Sequence, residues 1–250
     1  MHGFGRRLAV VFVLTIVVVG TLRSQEPEKR FRFTGDIGVV NTAGNTRVTT
    51  INVGDELGYR IGKVLLTQTF ALVYGKSEGE LTTNSQVARG RAEFAFSDKV
   101  SGYTFVGYER NRFAGISRRT DEGVGLAVKV LRGERTELDL EAGVGLVQDV
   151  LYPDPALDPT ISDHYASGRA AGRFKYLFAK TSYLQQSLEF LANLEESRSY
   201  RINSETALVA PLSSHIALKI AYLIKFNNAP PSPDLVKTDR MLTSGIQVSY

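Results

Sequence analysis

The last thirteen residues, Thr238–Tyr250, read TDRMLTSGIQVSY. Side chains alternate across a β-strand with period 2. Counting back from the end puts Tyr250, Val248, Ile246 and Leu242 on one face, while Arg240, Thr243, Gln247 and Ser249 break up or occupy the rest. One face is apolar, the other is polar, and the chain stops on an aromatic. Such a strand presents a row of unpaired backbone groups unless another strand covers it. Inside hydrocarbon no open edge is tolerated, so a last strand there must pair with the first. The segment predicts a closed barrel if the preceding chain supplies the strands.

At 250 residues the chain is long enough for one large β-domain or two small ones. It holds 23 glycines, 13 phenylalanines and 11 tyrosines, with neither tryptophan nor cysteine. The lack of cysteine excludes a disulfide framework, a lipoprotein anchor and thiolate metal sites, and it is compatible with passage through an oxidising periplasm. A net charge of +4 is small and scattered, so nucleic acid is not an expected partner. Mean hydropathy of −0.10 does not discriminate, because a barrel hides its apolar face by alternation.

At the N-terminus Arg6 and Arg7 precede the apolar run Leu8–Val19, followed by Gly20, Thr21 and Ser24. This is the order of a secretory signal peptide, here residues 1–24. Its apolar run is too short to span about 30 Å of hydrocarbon as a helix. No A-x-A site is present, so cleavage after Gly20 and after Ser24 are both open, and an uncleaved anchor helix is the alternative. Residues 25–30 form a short lead, and 31–250 form the exported domain.

From Phe31 onward no helical period is found. Strand-like runs are predicted at Phe31–Val40, Thr46–Arg60, Val64–Tyr74, Ser85–Phe96, Val100–Arg112 and Thr120–Leu131. They continue at Thr136–Val150, His164–Phe178, Ser182–Leu194, Tyr200–Leu212, His215–Phe226 and Thr238–Tyr250. The connections alternate between long and short. Among the longer ones are 75–84, the basic stretch 113–119, and the proline-bearing 152–163 and 227–237. The predicted fold is an all-β, up-and-down antiparallel transmembrane barrel of twelve strands, with short periplasmic turns and longer extracellular loops. A large soluble barrel or sandwich with its aliphatics inward is the competing architecture. Against it stand the strand lengths, which exceed the usual five or six residues of soluble sheets, and the aromatic terminus. A third feature is the placing of aromatics near strand ends: Phe31, Phe33, Tyr59, Tyr74, Phe94, Phe96, Phe178, Tyr222, Phe226 and Tyr250. Such positions suit interfacial girdles.

Several segments carry a resemblance to a known family, in the same order along the chain. They are GDIGVVNTAGNTRVTTINVGDELGYR with its turn Gly44-Asn45-Thr46, and GYERNRFAGISRRTDEGVGLA from Gly107 to Ala127. The third is YRINSETALVAPLSSHIALKIAY from Tyr200 to Tyr222, followed by a proline-rich loop, Lys237-Thr238-Asp239 and the aromatic end. Together they resemble the salt-induced outer membrane protein family, a bacterial family of unknown function. The terminal strand likewise resembles the C-terminal assembly signal of outer-membrane barrels, carried here by Leu242, Ile246, Val248 and Tyr250. The resemblance implies an outer-membrane barrel and no established activity.

Catalytic material is sparse. The histidines are His2, His164 and His215. Only His164, with Ser162 or Ser167, offers a Ser–His pair of the kind a lipid hydrolase needs. Asp154, Asp158 and Asp163 could supply oxygen ligands to Ca²⁺, but their prolines read as a rigid solvated loop. No cofactor, metal or catalytic residue is predicted. The better lead is the face opposite the aliphatics, with Arg89, Arg91, Glu93, Glu109, Asp139, Glu141, Arg169, Arg173, Lys175, Glu189, Glu205 and Lys219. Charges of both signs from many strands predict either a paired network filling a narrow interior or a charged constriction that filters solutes. Arg112, Arg118 and Arg119 are expected in one outer loop, which reads either as a solvated basic loop or as a contact for lipopolysaccharide phosphates, to which guanidinium geometry is suited. The expected partners are outer-membrane lipid, lipopolysaccharide and, through the last strand, the barrel-insertion machinery.

Overall fold

Alternation decides the architecture. The computed structural model describes residues 30–42, 48–152, 162–231 and 235–250. Its strands are β1 (Phe31–Thr42), β2 (Val48–Ile61), β3 (Val64–Ser77), β4 (Glu80–Ala95), β5 (Val100–Asn111) and β6 (Ile116–Arg132). The second half holds β7 (Thr136–Leu151), β8 (Ser162–Leu177), β9 (Tyr183–Asn193), β10 (Tyr200–Pro211), β11 (Ile216–Asn227) and β12 (Thr238–Ser249). Each strand pairs antiparallel with its sequence neighbours, and β12 returns to β1 to close the barrel. Among the described residues no helix is long and apolar enough to cross a membrane.

The aliphatics point out. On β7, Leu140, Val144 and Leu146 are exposed, Leu146 to 60 %, while Val147 and Asp149 on the alternate positions are buried. The same holds for Val124 and Leu126 on β6 and for Ile216, Leu218 and Ile220 on β11. This is the arrangement of a transmembrane barrel and the reverse of a soluble sandwich. In water such a belt would forfeit about 25 cal/mol for every Å² left exposed; in hydrocarbon it is at home. Phe31, Tyr59, Phe94, Phe96, Phe178 and Tyr250 are exposed together near the end that carries the short turns. Two carboxylates depart from the pattern: Asp55 lies opposite outward Phe70, and exposed Glu122 lies opposite outward Leu146.

Three predicted boundaries require correction. The tract 75–84 is not a loop, because β3 runs to Ser77 and β4 starts at Glu80. Only Glu78 and Gly79 lie between them, at φ 52° and 90°. Two successive residues with positive φ make a tight hairpin turn whose twist matches the strands, so polar residues here continue the ladder. The basic stretch 113–119 is also mostly strand. A 3₁₀ turn at Arg112–Ala114 is followed at once by β6 from Ile116. β12 stops at Ser249, with Tyr250 still hydrogen-bonded to Phe33 in both directions, at 3.2 and 2.9 Å. Long connections do occur at the expected end, at 152–161 and 228–237. The predicted signal peptide, most of the predicted lead, the expected turn at Gly44-Asn45-Thr46, Asp154 and Asp158 lie outside the described residues.

Candidate functional site in the barrel lumen

The structure places all twelve sequence-selected charged residues on inward positions, and the alternation that turns their aliphatic neighbours out is the cause. At mid-height they form one network. Arg169 donates to Glu189 at 2.7 Å, to Glu141 at 2.6 Å and to the Tyr103 hydroxyl at 3.0 Å. Arg91 donates from one nitrogen to both Glu141 oxygens at 2.9 Å, and from another to Glu93 at 2.7 Å. Arg89 joins Asp121 at 2.8 Å and Glu189 at 3.4 Å. Asn203 and the Ser101 hydroxyl complete Glu189 and Glu93 at 2.9 and 2.5 Å. Seven consecutive strands, β4 to β10, are thus linked through the lumen. No buried side-chain nitrogen or oxygen among the described residues lacks a partner, as a low-dielectric interior demands.

The guanidinium groups are also layered on aromatic rings. Arg91 lies 4.0 Å from the Tyr103 centroid, Arg169 5.8 Å from the same ring, and Arg89 4.9 Å from Phe105. The rings rest on bare wall. Gly123 and Gly125 of β6 face Gly145 and Gly143 of β7. A Cβ on Gly125 would stand 2.5 Å from the Tyr103 ring, and one on Gly143 would stand 2.6 Å from the Val124 carbonyl. Glycine at alternate positions in GVGLA and AGVGL keeps the two strands close and the inner surface flat enough for Tyr103.

Nearer the long-loop end lies a second cluster. Arg119 grips Asp149 with two bonds of 2.6 and 2.7 Å, both side chains being under one-tenth exposed. It also reaches Glu109 at 3.3 Å. Lys225 sits 3.8 Å from Glu109 and opposite Asp239, and the Tyr165 hydroxyl donates to Asp149 at 3.4 Å. A third group lies behind the closing strand. Lys219 of β11 is 3.4 Å from both Glu205 of β10 and Asp36 of β1. To reach Asp36 it passes Gly245, its partner on β12. The space left between Asp36, Asn52, Lys219 and Thr243 is about 10 Å³, close to the minimum for a single water.

The remaining selected residues take lesser places. Asp139 pairs with Arg132 near the short-turn end, Lys175 lies over the Tyr183 ring at 4.6 Å, and Arg173 has no ion pair among the described residues. Tyr103, Asp121, Arg119, Asp149, Asn203 and Arg201 were absent from the sequence selection. Asp149, Asn203 and Arg201 share the parity of selected neighbours on their strands, and Asp121 alternates with the aliphatic face of Val124 and Leu126, which was the available signal. Arg119 is a correction: expected in an outer loop, it is 7 % exposed and faces the lumen, because β6 begins earlier than predicted. Arg118, one residue before, faces outward. With Arg110, Tyr108, Ser117 and Val150 it lines an external groove of about 390 Å³.

The Ser–His candidate does not assemble. Ser167 is buried toward the lumen, whereas His164 lies on the opposite face of β8. His164 has no hydrogen bond to Ser162 among the described residues. His215 stacks on Tyr250, with ring centroids 6.3 Å apart. No group of three His, Asp or Glu residues suited to a metal occurs among the described residues.

The match to a family extends over residues 35–250 of the chain. The chain belongs to the family described as Protein of unknown function, DUF481. Within the curated proteins it is 25 % identical over 173 residues to the Uncharacterized protein YdiY of Escherichia coli (strain K12), a match covering 69 % of this chain and 65 % of that protein. The chain therefore spans under two thirds of that relative. Among solved structures it is similar in shape to the NanC porin, with TM-score 0.49 and 9 % identity over 86 % of this chain and 97 % of the other. It is also similar to the translocator domain of the autotransporter NalP from Neisseria meningitidis, with TM-score 0.48 and 12 % identity over 90 % and 89 %. The fold stands on the closed strand order itself.

Proposed function

We propose that this DUF481 protein is a bacterial outer-membrane barrel whose lumen is closed at mid-height by its own ion pairs. Its role on this reading is structural, in the envelope and its response to stress, with at most narrow passage of small solutes. The observation that carries the proposal is the Arg169 bridge, which joins Glu141 of β7 to Glu189 of β9 and, through them, Arg91 and Arg89 of β4. The exposed apolar belt supports an outer-membrane location. No enzymatic step is part of the reading.

Its partners are then outer-membrane lipid around the belt and the barrel-insertion machinery at the last strand. Lipopolysaccharide phosphates fit the external groove, where Arg110 and Arg118 stand on the long-loop side above the apolar belt. In planar lipid bilayers the purified barrel should show little or no conductance, and Arg169→Ala combined with Glu141→Gln should raise it. A large stable conductance of the unaltered protein would refute closure. A second reading, a small-solute channel, is favoured by one specific feature. Arg201 near one mouth and Arg173 near the other are lumen cations without ion-pair partners among the described residues.

A further inference from the structure

Among the lumen arginines of β4, β6, β8 and β10, Arg89, Arg91, Arg119 and Arg169 each hold at least one carboxylate within 3.4 Å. Arg201, second residue of β10, holds none among the described residues, as does Arg173 near the opposite mouth. Its alternate position turns it inward, beside Asn227 of β11 and Leu191 of β9. Arg119, Tyr165, Glu109 and Asp149 are the titratable groups that act on it, and Lys225 lies opposite Asn203, two residues along the same inward face. Those carboxylates are already engaged: Asp149 takes two bonds from Arg119 and one from Tyr165, and Glu109 is shared by Arg119 and Lys225. Lys225 in turn faces Asp239 across the β11–β12 ladder. A guanidinium carries five donors in a fixed fork. Because no buried polar atom is left without a partner among the described residues, the Arg201 donors, which bond to no described residue, face the lumen. Like charges facing one lumen repel, and an anion bound among them relieves that repulsion.

We propose that the upper lumen around Arg201, flanked by Arg119 and Lys225, is a binding site for a small oxyanion, a carboxylate or phosphate group entering from the long-loop end. Arg201 binds it through paired N–H donors, and Arg119, held rigid by Asp149, adds the second positive flank. The Tyr165 hydroxyl donates to Asp149 and so keeps that carboxylate turned away from the incoming anion. The inference rests on the outer-membrane reading only in that the long-loop end meets the medium. Binding requires neither an open nor a closed lumen below.

The test is isothermal titration calorimetry on the refolded full barrel in detergent, with sodium phosphate, sodium glucuronate and uncharged glucose as probes in chloride buffer. Phosphate, glucuronate or both should bind, and glucose should not. Arg201→Gln should weaken binding at least about tenfold, the effect of losing one charge-assisted hydrogen-bond pair, while Arg201→Lys should retain part of it. Arg135→Gln, in the exposed β6–β7 turn at the opposite end of the barrel, should bind as the unaltered protein does. Heat-modifiable gel mobility checks that each variant is folded. Binding of phosphate alone identifies a phosphorylated solute, of glucuronate alone an acidic sugar. No binding of either anion up to about 10 mM, a free energy near −3 kcal/mol, would overturn the site, as would full binding by folded Arg201→Gln. Conductance in bilayers, read separately, decides the closure proposal without affecting this one.

Discussion

The wall from β4 to β10 and the seam from β11 through β12 to β1 are held by different means. Along the wall, β6–β7 and β7–β8 each register fifteen residue pairs, and lumen arginines tie non-adjacent strands together. At the seam, β12 registers four pairs with β1, Thr34↔Ser249 to Ile37↔Ile246, among the described residues. Two devices reinforce that short ladder. Outside, the Tyr250 ring lies between Phe31 of β1 at 6.4 Å and His215 at 6.3 Å. Inside, Lys219 reaches behind Gly245 to Asp36. Closure of the barrel thus rests on few backbone pairs and an aromatic latch, while the wall relies on ion pairs across the lumen.

Substitutions can test that contrast. The largest loss is expected in the wall: Arg169→Ala leaves Glu141 to Arg91 and Glu189 to Arg89 and Asn203, and removing one partner of a buried pair costs up to about 3–5 kcal/mol. Urea unfolding in micelles measures it, and an unchanged midpoint would mean that the network is not what holds the wall. Gly125→Val comes next. Its new side chain meets the Tyr103 ring, and overpacking of this kind costs about 1–3 kcal/mol. Near-ultraviolet circular dichroism should lose the tyrosine signal; a retained signal would show that the ring does not depend on the glycine floor. At the seam, Tyr250→Ala removes two ring contacts worth about 0.5–1.5 kcal/mol each. The expected result is slower assembly into vesicles with a modest loss of stability, and assembly at the normal rate would remove the latch from the account. The smallest effect is assigned to Arg32→Gln. Its pair with Glu56 is 58 % and 33 % exposed, so the change should stay below about 1 kcal/mol and vanish in high salt.

Fold and site were legible to different depths. The period-2 pattern in Leu138, Leu140, Ala142, Val144 and Leu146 told which residues share a face, and a closed barrel has only one way to place an aliphatic face and a charged face in a membrane. Boundaries were less legible, because polar residues at strand ends look like loop whether or not the ladder continues through them. That is why 75–84 and 113–119 were read as connections. The second error moved Arg119 from the lumen to the surface: a strand that starts earlier brings a further alternation under way, and two adjacent arginines fall on opposite faces. His164 and Ser167 failed as a pair for the same reason, being an odd number of residues apart on one strand.

The sequence alone determined that there are twelve strands, which side chains they sort to each face, and that the last strand has the form to close on the first. These follow from local alternation, a property each strand carries by itself. The partners of those side chains were decided by the tertiary structure. That Arg169 meets Glu141 and Glu189, that Tyr103 lies on the glycines of β6 and β7, and that Arg201 is left without a carboxylate all depend on stagger between strands and on reach across the lumen. Both come into being only when the barrel shuts.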